Sequence, residues 1–178
     1  MTESFEKTKV AGSIAAGALD EVNNIIKPGV STSEIDKLCY EYINDHKAFS
    51  APLYYRGYPK SCCTSSNHVV CHGIPSEKIL NDGDILNVDV TAIKDGWHGD
   101  TSRMFVVGEC SVKAKKLIKT TYEAMMEAIK IIKANIKIGN IGYTIQKIVE
   151  AEGFSVVRDF CGHGIGKKFH ESPNVLHY

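Results

Sequence analysis

The sequence predicts an α+β fold assembled from a helix–helix–strand unit that occurs twice, the second time incompletely. Three observations predict it. Amphipathic helical stretches come in two pairs, extended segments with alternating polarity separate the pairs, and the chain matches itself at a constant offset. Ala18, Glu21, Ile25, Ile26, Lys27 and Ile35 recur 106 residues later as Ala124, Glu127, Ile131, Ile132, Lys133 and Ile141. With a slip of one residue, Phe49-Ser50 recurs as Phe154-Ser155. The period is far too long for a solenoid. In the first copy the strands that follow the helices reach Val107, so their counterparts would fall beyond Tyr178. Residues 1–178 are therefore expected to form a single domain whose second half lacks its last strands.

Between Glu3 and Lys27, apolar Val10, Ile14, Ala18, Val22 and Ile25 recur near the helical period, and Lys27-Pro28-Gly29 ends the pattern. The small-residue run from Ile14 to Leu19 reads as helix surface. Ser31-Thr32-Ser33-Glu34 offers a capping box to a second helix carrying Ile35, Leu38, Cys39, Tyr42 and Ile43. A loop with Pro52, Gly57 and Pro59 leads to extended segments at Cys63–Cys71, Ile85–Ile93 and Trp97–Val107. A third helix is expected from Val112 to Lys133 and a fourth from Gly142 to Glu152, stopped by Gly153.

Composition narrows the function. Lys plus Arg and Asp plus Glu are both 21, so the net charge is zero and the electrostatic footprint of a nucleic-acid binder is missing. No apolar run approaches the roughly 18 residues that span a bilayer. Glu3 and Glu6 stand where an export signal needs positive charge, which predicts a cytoplasmic chain. Its six cysteines, with no C-x-x-C pair, are then reduced and read as buried small hydrophobes.

The chemistry gathers at a few positions. In Ile85-Leu86-Asn87-Val88-Asp89-Val90-Thr91 the apolar residues alternate with polar ones, so Asp89 points away from the core. Lys94-Asp95-Gly96 turns the chain, and Trp97-His98-Gly99-Asp100 returns. A Lys94-Asp95 loop sets Asp89 opposite Asp100; an Asp95-Gly96 loop sets Thr91 opposite Asp100, with Asp89 on the diagonal. Either puts both carboxylates on one face, where like charges raise each other's pKa unless a cation lies between them. Gly99 is expected to leave room for a ligand beside Asp100. Cys161-Gly162-His163-Gly164-Ile165-Gly166 frees the backbone around an imidazole, and His72 and His170 sit on further Gly- or Pro-rich turns. The spacings of dinucleotide-binding and P-loop motifs are absent. Carboxylates with imidazoles suit divalent Mn, Fe, Co or Zn.

Five segments in order, Cys71-His72-Gly73-Ile74-Pro75, Asn87-Val88-Asp89-Val90, Gly96 to Ser102, Cys161 to Gly166 and Phe169-His170-Glu171, resemble the bacterial-type (type I) methionine aminopeptidases along essentially the whole chain. The resemblance implies the pita-bread fold, two pseudo-symmetric halves around a dinuclear metal site. It also implies removal of the N-terminal methionine from nascent polypeptides by attack of metal-bound hydroxide on the first peptide bond. Carried over motif by motif, Asp89, Asp100 and His163 are the implied ligands of two divalent ions (Co, Mn, Fe or Zn), with Asp100 bridging. His72 and His170 are implied to contact the substrate near the scissile amide, and Tyr55, Tyr58, Cys63 and Phe169 to line the methionine pocket.

The resemblance further implies a cytoplasmic monomer meeting nascent chains at the ribosome, with neither nucleic acid nor membrane as partner. Two more glutamate ligands of the family, one in an I-E-P segment and one in a segment ending E-H-T, do not occur before Tyr178. The 178-residue chain by itself is therefore expected to hold metal weakly and to hydrolyse little. The competing readings are a non-catalytic pita-bread module that binds peptides or proteins, a proline-specific aminopeptidase relative, and, more distantly, a cysteine peptidase using Cys63 or Cys71.

Overall fold

A computed structural model describes residues 2–178, which divide into two compact units. The first holds residues up to Cys110 together with Ile165–Phe169; the second holds Ser111–Gly164 and His170–Tyr178.

The first unit begins with α1 (Glu3–Ile25) and α2 (Thr32–Asp45). The capping box forms as the sequence predicts: the Ser31 hydroxyl accepts from the Glu34 amide at 3.2 Å, and the Glu34 carboxylate accepts from the Ser31 amide at 2.7 Å. Strands β1 (Phe49–Ser50), β2 (Cys63–Ser66), β3 (Ile85–Lys94) and β4 (Trp97–Val106) make one antiparallel sheet. β4 follows β3 along its whole length, while β1 and β2 share the other edge of β3. Leu86, Val88, Val90 and Ala92 on one face of β3 are fully buried against α1, α2, Phe105 and Val107.

Ile14, Ala15, Ala18 and Leu19 belong to this core, which corrects the reading of that run as helix surface. Small side chains there let α1 lie close on the sheet. The same packing corrects the reading of Gly99. That residue is buried, and a Cβ on it would fall into the α1 backbone at Ala11 and Gly12, so the glycine makes room for a helix and not for a ligand.

The extended segment expected over Cys63–Cys71 ends at Ser66. Asn67 takes a φ of 53°, accepts from the Ile85 amide at 3.1 Å and donates to Asp84 at 2.9 Å, which bends the chain out of the sheet.

The second unit pairs α3 (Val112–Lys130) with α4 (Gly139–Ala151) and adds a two-stranded hairpin, β5 (Gly162–Gly164) and β6 (Glu171–Val175). Shifted by 106 residues, α1 and α2 fall on 109–131 and 138–151, so the repeat seen in the sequence is a repeat of helix pairs. α3 stops three residues before the expected Lys133, and α4 starts three before the expected Gly142. Gly142 is an interior residue because the chain at Leu176–Tyr178 lies against it, where a Cβ would collide with backbone. Phe154-Ser155, the counterpart of β1, is not a strand. Among the described residues no helix is long and apolar enough to cross a membrane.

Two neighbouring glycines should respond oppositely to alanine. Gly99→Ala is expected to cost about 3 kcal/mol through overpacking against α1. Gly12→Ala, whose Cβ would meet nothing within 4 Å, is expected to add about 0.5–1 kcal/mol through helix propensity. Urea unfolding of the two variants measures both.

Candidate active site

The site begins with the turn between β3 and β4. Asp95 and Gly96 have φ of 50° and 77°, the two consecutive positive values of a tight hairpin turn. That choice of loop pairs Thr91 with Asp100 and Asp89 with Ser102, the diagonal of the two arrangements open to the sequence. From the other edge, Cys63 of β2 pairs with Asp89. Directly paired residues share a face, so Cys63, Asp89, Thr91, Asp100 and Ser102 all stand on the face opposite the core.

The electrostatics follow from this crowding. Asp89 is partly buried, and burial first, then the charge of Asp100 and a hydrogen bond with it, push the Asp89 carboxyl up to about 7. The pair therefore holds a proton near neutrality that separated carboxylates would have lost. A divalent cation would remove the repulsion and take the proton's place, so the donor chemistry fits a metal.

The Cys63 thiol is pushed up to about 11, mainly by burial, with Asp89, Asp100 and Cys71 adding to the rise and a hydrogen bond with Tyr58 opposing it. Cys71 rises too, through burial and Asp89. Both shifts favour the neutral thiol, the opposite of the lowered pKa that activates a cysteine nucleophile.

Around this face the first unit places the other expected residues. The Tyr58 hydroxyl, raised well above the usual phenol range chiefly by burial, lies 3.0 Å from the carbonyls of both Cys62 and Gly73 and shares its one proton between them. The Tyr55 and Phe169 rings have centroids 5.0 Å apart at 58°. His72, exposed and with a φ of 54°, precedes Gly73, whose amide donates to the Ser65 hydroxyl at 3.1 Å and whose carbonyl accepts from the Thr64 amide at 2.8 Å. The loop carrying His72 is thus stitched to β2, the strand that carries Cys63.

His163 and His170 belong to the second unit, with ring centroids 4.2 Å apart. His163 Nδ1 lies 3.0 Å from the Gly164 carbonyl. A carbonyl only accepts, so Nδ1 carries the proton and the lone pair is on Nε2. Gly164 is needed there because a Cβ would strike the Ser172 carbonyl across the irregular β5–β6 pairing.

The structure thus assembles a carboxyl pair in the first unit and an imidazole pair in the second. Among the described residues no three His, Cys, Asp or Glu side chains form a single ready-made metal cluster. A groove lined by Lys130, Lys133, Lys137, Asn140 and Tyr143 contains none of these groups.

Two supporting residues were not singled out from the sequence. Asp36 accepts from the Ser61 amide at 2.8 Å, the Ser61 hydroxyl at 2.6 Å and the Cys62 amide at 3.2 Å, which fixes the entry to β2. His98 is buried on the same face as Asp100, a position that strand alternation alone could have flagged.

Helix pairs, a hairpin that sets two carboxylates on one face, and histidines on short glycine-containing turns suit a metal-dependent enzyme. Residues 6–178 match the model of metallopeptidase family M24, and the chain belongs to that family. It is 52% identical over 176 residues to the methionine aminopeptidase of Rickettsia prowazekii, covering 99% of this chain and 68% of that protein. Against the methionine aminopeptidase of Escherichia coli K12 the identity is 56% over 178 residues, covering 99% of this chain and 67% of the relative. The crystal structure of the Rickettsia prowazekii enzyme matches all of this chain with a TM-score of 0.98 and is covered to 72%. An Xaa-Pro dipeptidase from Bacillus anthracis shares the pita-bread fold at 24% identity and a TM-score of 0.84. Membership of the family carries dependence on divalent metal with it.

The shared proton gives a pH test with a definite sign. The folded pKa of Asp89, about 7, exceeds its ordinary 3.8, so between those values the folded chain binds more protons than the unfolded one. Metal-free stability should fall as pH rises through that window. His177, held below its ordinary 6.5 by burial, acts in the opposite sense just below 6.5. The difference between the wild-type chain and Asp89→Asn cancels the histidine. Thermal unfolding from pH 4.5 to 8 should show the wild type losing stability relative to the variant; a constant difference would contradict the shared proton.

Proposed function

We propose that this chain acts as a metal-dependent aminopeptidase that removes the N-terminal methionine from nascent polypeptides. The observation that carries this reading is the Asp89–Asp100 pair, held on the same strand face as the neutral thiol of Cys63. Asp89, Asp100 and His163 would hold the divalent ions, drawn from Co, Mn, Fe or Zn. When bound, the ions supply a water of lowered pKa and draw electron density from the carbonyl of the first peptide bond.

The remaining roles belong to the protein's own groups. His72 hydrogen-bonds the nitrogen side of the scissile amide, and His170 donates to the carbonyl oxygen as negative charge develops on it. Tyr55, Tyr58, Cys63 and Phe169 enclose the methionine side chain. An uncharged thiol and aromatic rings present a soft, polarisable wall that suits a thioether. The two units function as one catalytic domain, a monomer working in the cytoplasm on chains emerging from the ribosome.

The test is hydrolysis of Met-Ala-Ser against an X-Pro peptide, with Mn or Co added and then chelated. The assay uses this chain and the same chain extended by the part of the Rickettsia prowazekii enzyme that lies beyond the match. Met-Ala-Ser should be the preferred substrate, activity should vanish with chelator, and Asp100→Asn should lower turnover on the order of a hundredfold or more. Preference for X-Pro, or indifference to chelator, would overturn the assignment. Peptide binding without turnover in both forms would leave a peptide-binding module.

A further inference from the structure

Residues 165–169 of the first unit meet β4 at Trp97 and His98. His98 is only 9% exposed, and it meets Gly166 twice: its backbone amide donates to the Gly166 carbonyl at 2.8 Å, and its Nδ1 lies 3.0 Å from the same oxygen. Because that oxygen can only accept, Nδ1 carries a proton and acts as the second donor. The His98 ring also stacks on Phe169, with centroids 5.7 Å apart at 17°, and Phe169 in turn faces Tyr55. One residue earlier, the Trp97 ring has Lys167 Nζ 5.6 Å from its centroid. Two consecutive residues of β4 thus grip three residues of the segment: Gly166, Lys167 and Phe169.

We propose that His98 is a positioning residue for the methionine pocket: it clamps residues 165–169 to β4 so that Phe169 meets Tyr55 and forms a fixed wall. The pocket part of the inference rests on the function proposed above; the clamp itself does not. The hydrogen bond sets where the segment lies, and the ring stack sets how Phe169 is turned. A flexible wall would have to be ordered by each incoming side chain, at a cost in affinity that a pre-set wall avoids.

Trp97 is the only tryptophan in the chain, so its fluorescence reports directly on the segment that covers it. The test uses the full chain and three variants. His98→Ala removes both contacts, His98→Phe keeps only the stack, and His98→Asn keeps a donor near the position of Nδ1. Acrylamide quenching of Trp97 and calorimetric titration with L-methionine in excess Mn are measured for each. His98→Ala should roughly double the quenching and weaken L-methionine about tenfold, since a buried carbonyl loses its side-chain donor. His98→Asn should recover most of both losses and His98→Phe little of the first.

Unchanged quenching and affinity in His98→Ala would overturn the proposal. So would equal losses in His98→Ala and His98→Asn, which would mark a general packing role. If the wild-type chain binds no L-methionine, the pocket reading fails, and the quenching series still decides the clamp by the same criteria.

Discussion

The register between β3 and β4 is the constraint on which the rest depends. It is fixed from two sides. Leu86, Val88 and Val90 are fully buried, each worth about 2 kcal/mol in apolar area removed from water, and a slip of one residue would carry them to the opposite face. At the far end, the Asp95-Gly96 turn accepts positive φ at both central positions, which a loop centred on Lys94 would accommodate less readily. With the register locked from both ends, Asp100 falls opposite Thr91 and diagonal to Asp89 on their shared face. Their mutual repulsion is an outcome of packing elsewhere and is tolerated because hydrophobic burial exceeds it.

Rigidity around that face comes from close backbone approach. Gly99 brings β4 against the backbone of α1, and Gly73 brings the His72 loop against the Thr64 carbonyl. In both places the absence of a Cβ fixes the distance between two pieces of main chain, so the neighbouring side chains, Asp100 after Gly99 and His72 before Gly73, inherit a defined position. Asp36 does similar work at the entry to β2 by collecting two amides and a hydroxyl on one carboxylate oxygen. Without it the backbone amides of Ser61 and Cys62 would need other partners just before the strand that carries Cys63.

Much of this was legible in the sequence wherever the controlling interaction is local. The capping box at Ser31 and Glu34, the two-residue alternation through Asp89 and the helix pairs related by 106 residues all depend on neighbours within a few positions or on a pattern repeated whole. What the residues could not disclose were partners distant in sequence. Gly99 reads equally well as space for a ligand or for a helix, because the choice depends on where Ala11 and Gly12 come to lie. His98 shows its face by alternation but not that Gly166, 68 residues on, supplies its acceptor. The extent of β2 was overestimated for a related reason. Val69 and Val70 look like strand, yet the anchoring of Asn67 to Asp84 and Ile85 turns the chain away before them.

Carboxylates and imidazoles are placed by different means, and the difference follows from their chemistry. Two like charges drift apart unless the backbone under each is immobile, and a fully paired antiparallel ladder is the stiffest local support available. An imidazole poses another problem, since it must show its lone pair in the right direction with the proton on the other nitrogen. A short hairpin with glycine on both sides of His163 solves that one. It lets the Gly164 carbonyl reach back to Nδ1, which settles the tautomer with a hydrogen bond to the adjacent residue and leaves the lone pair on Nε2. Strand register therefore fixes the charges, and glycine-permitted backbone geometry fixes the proton.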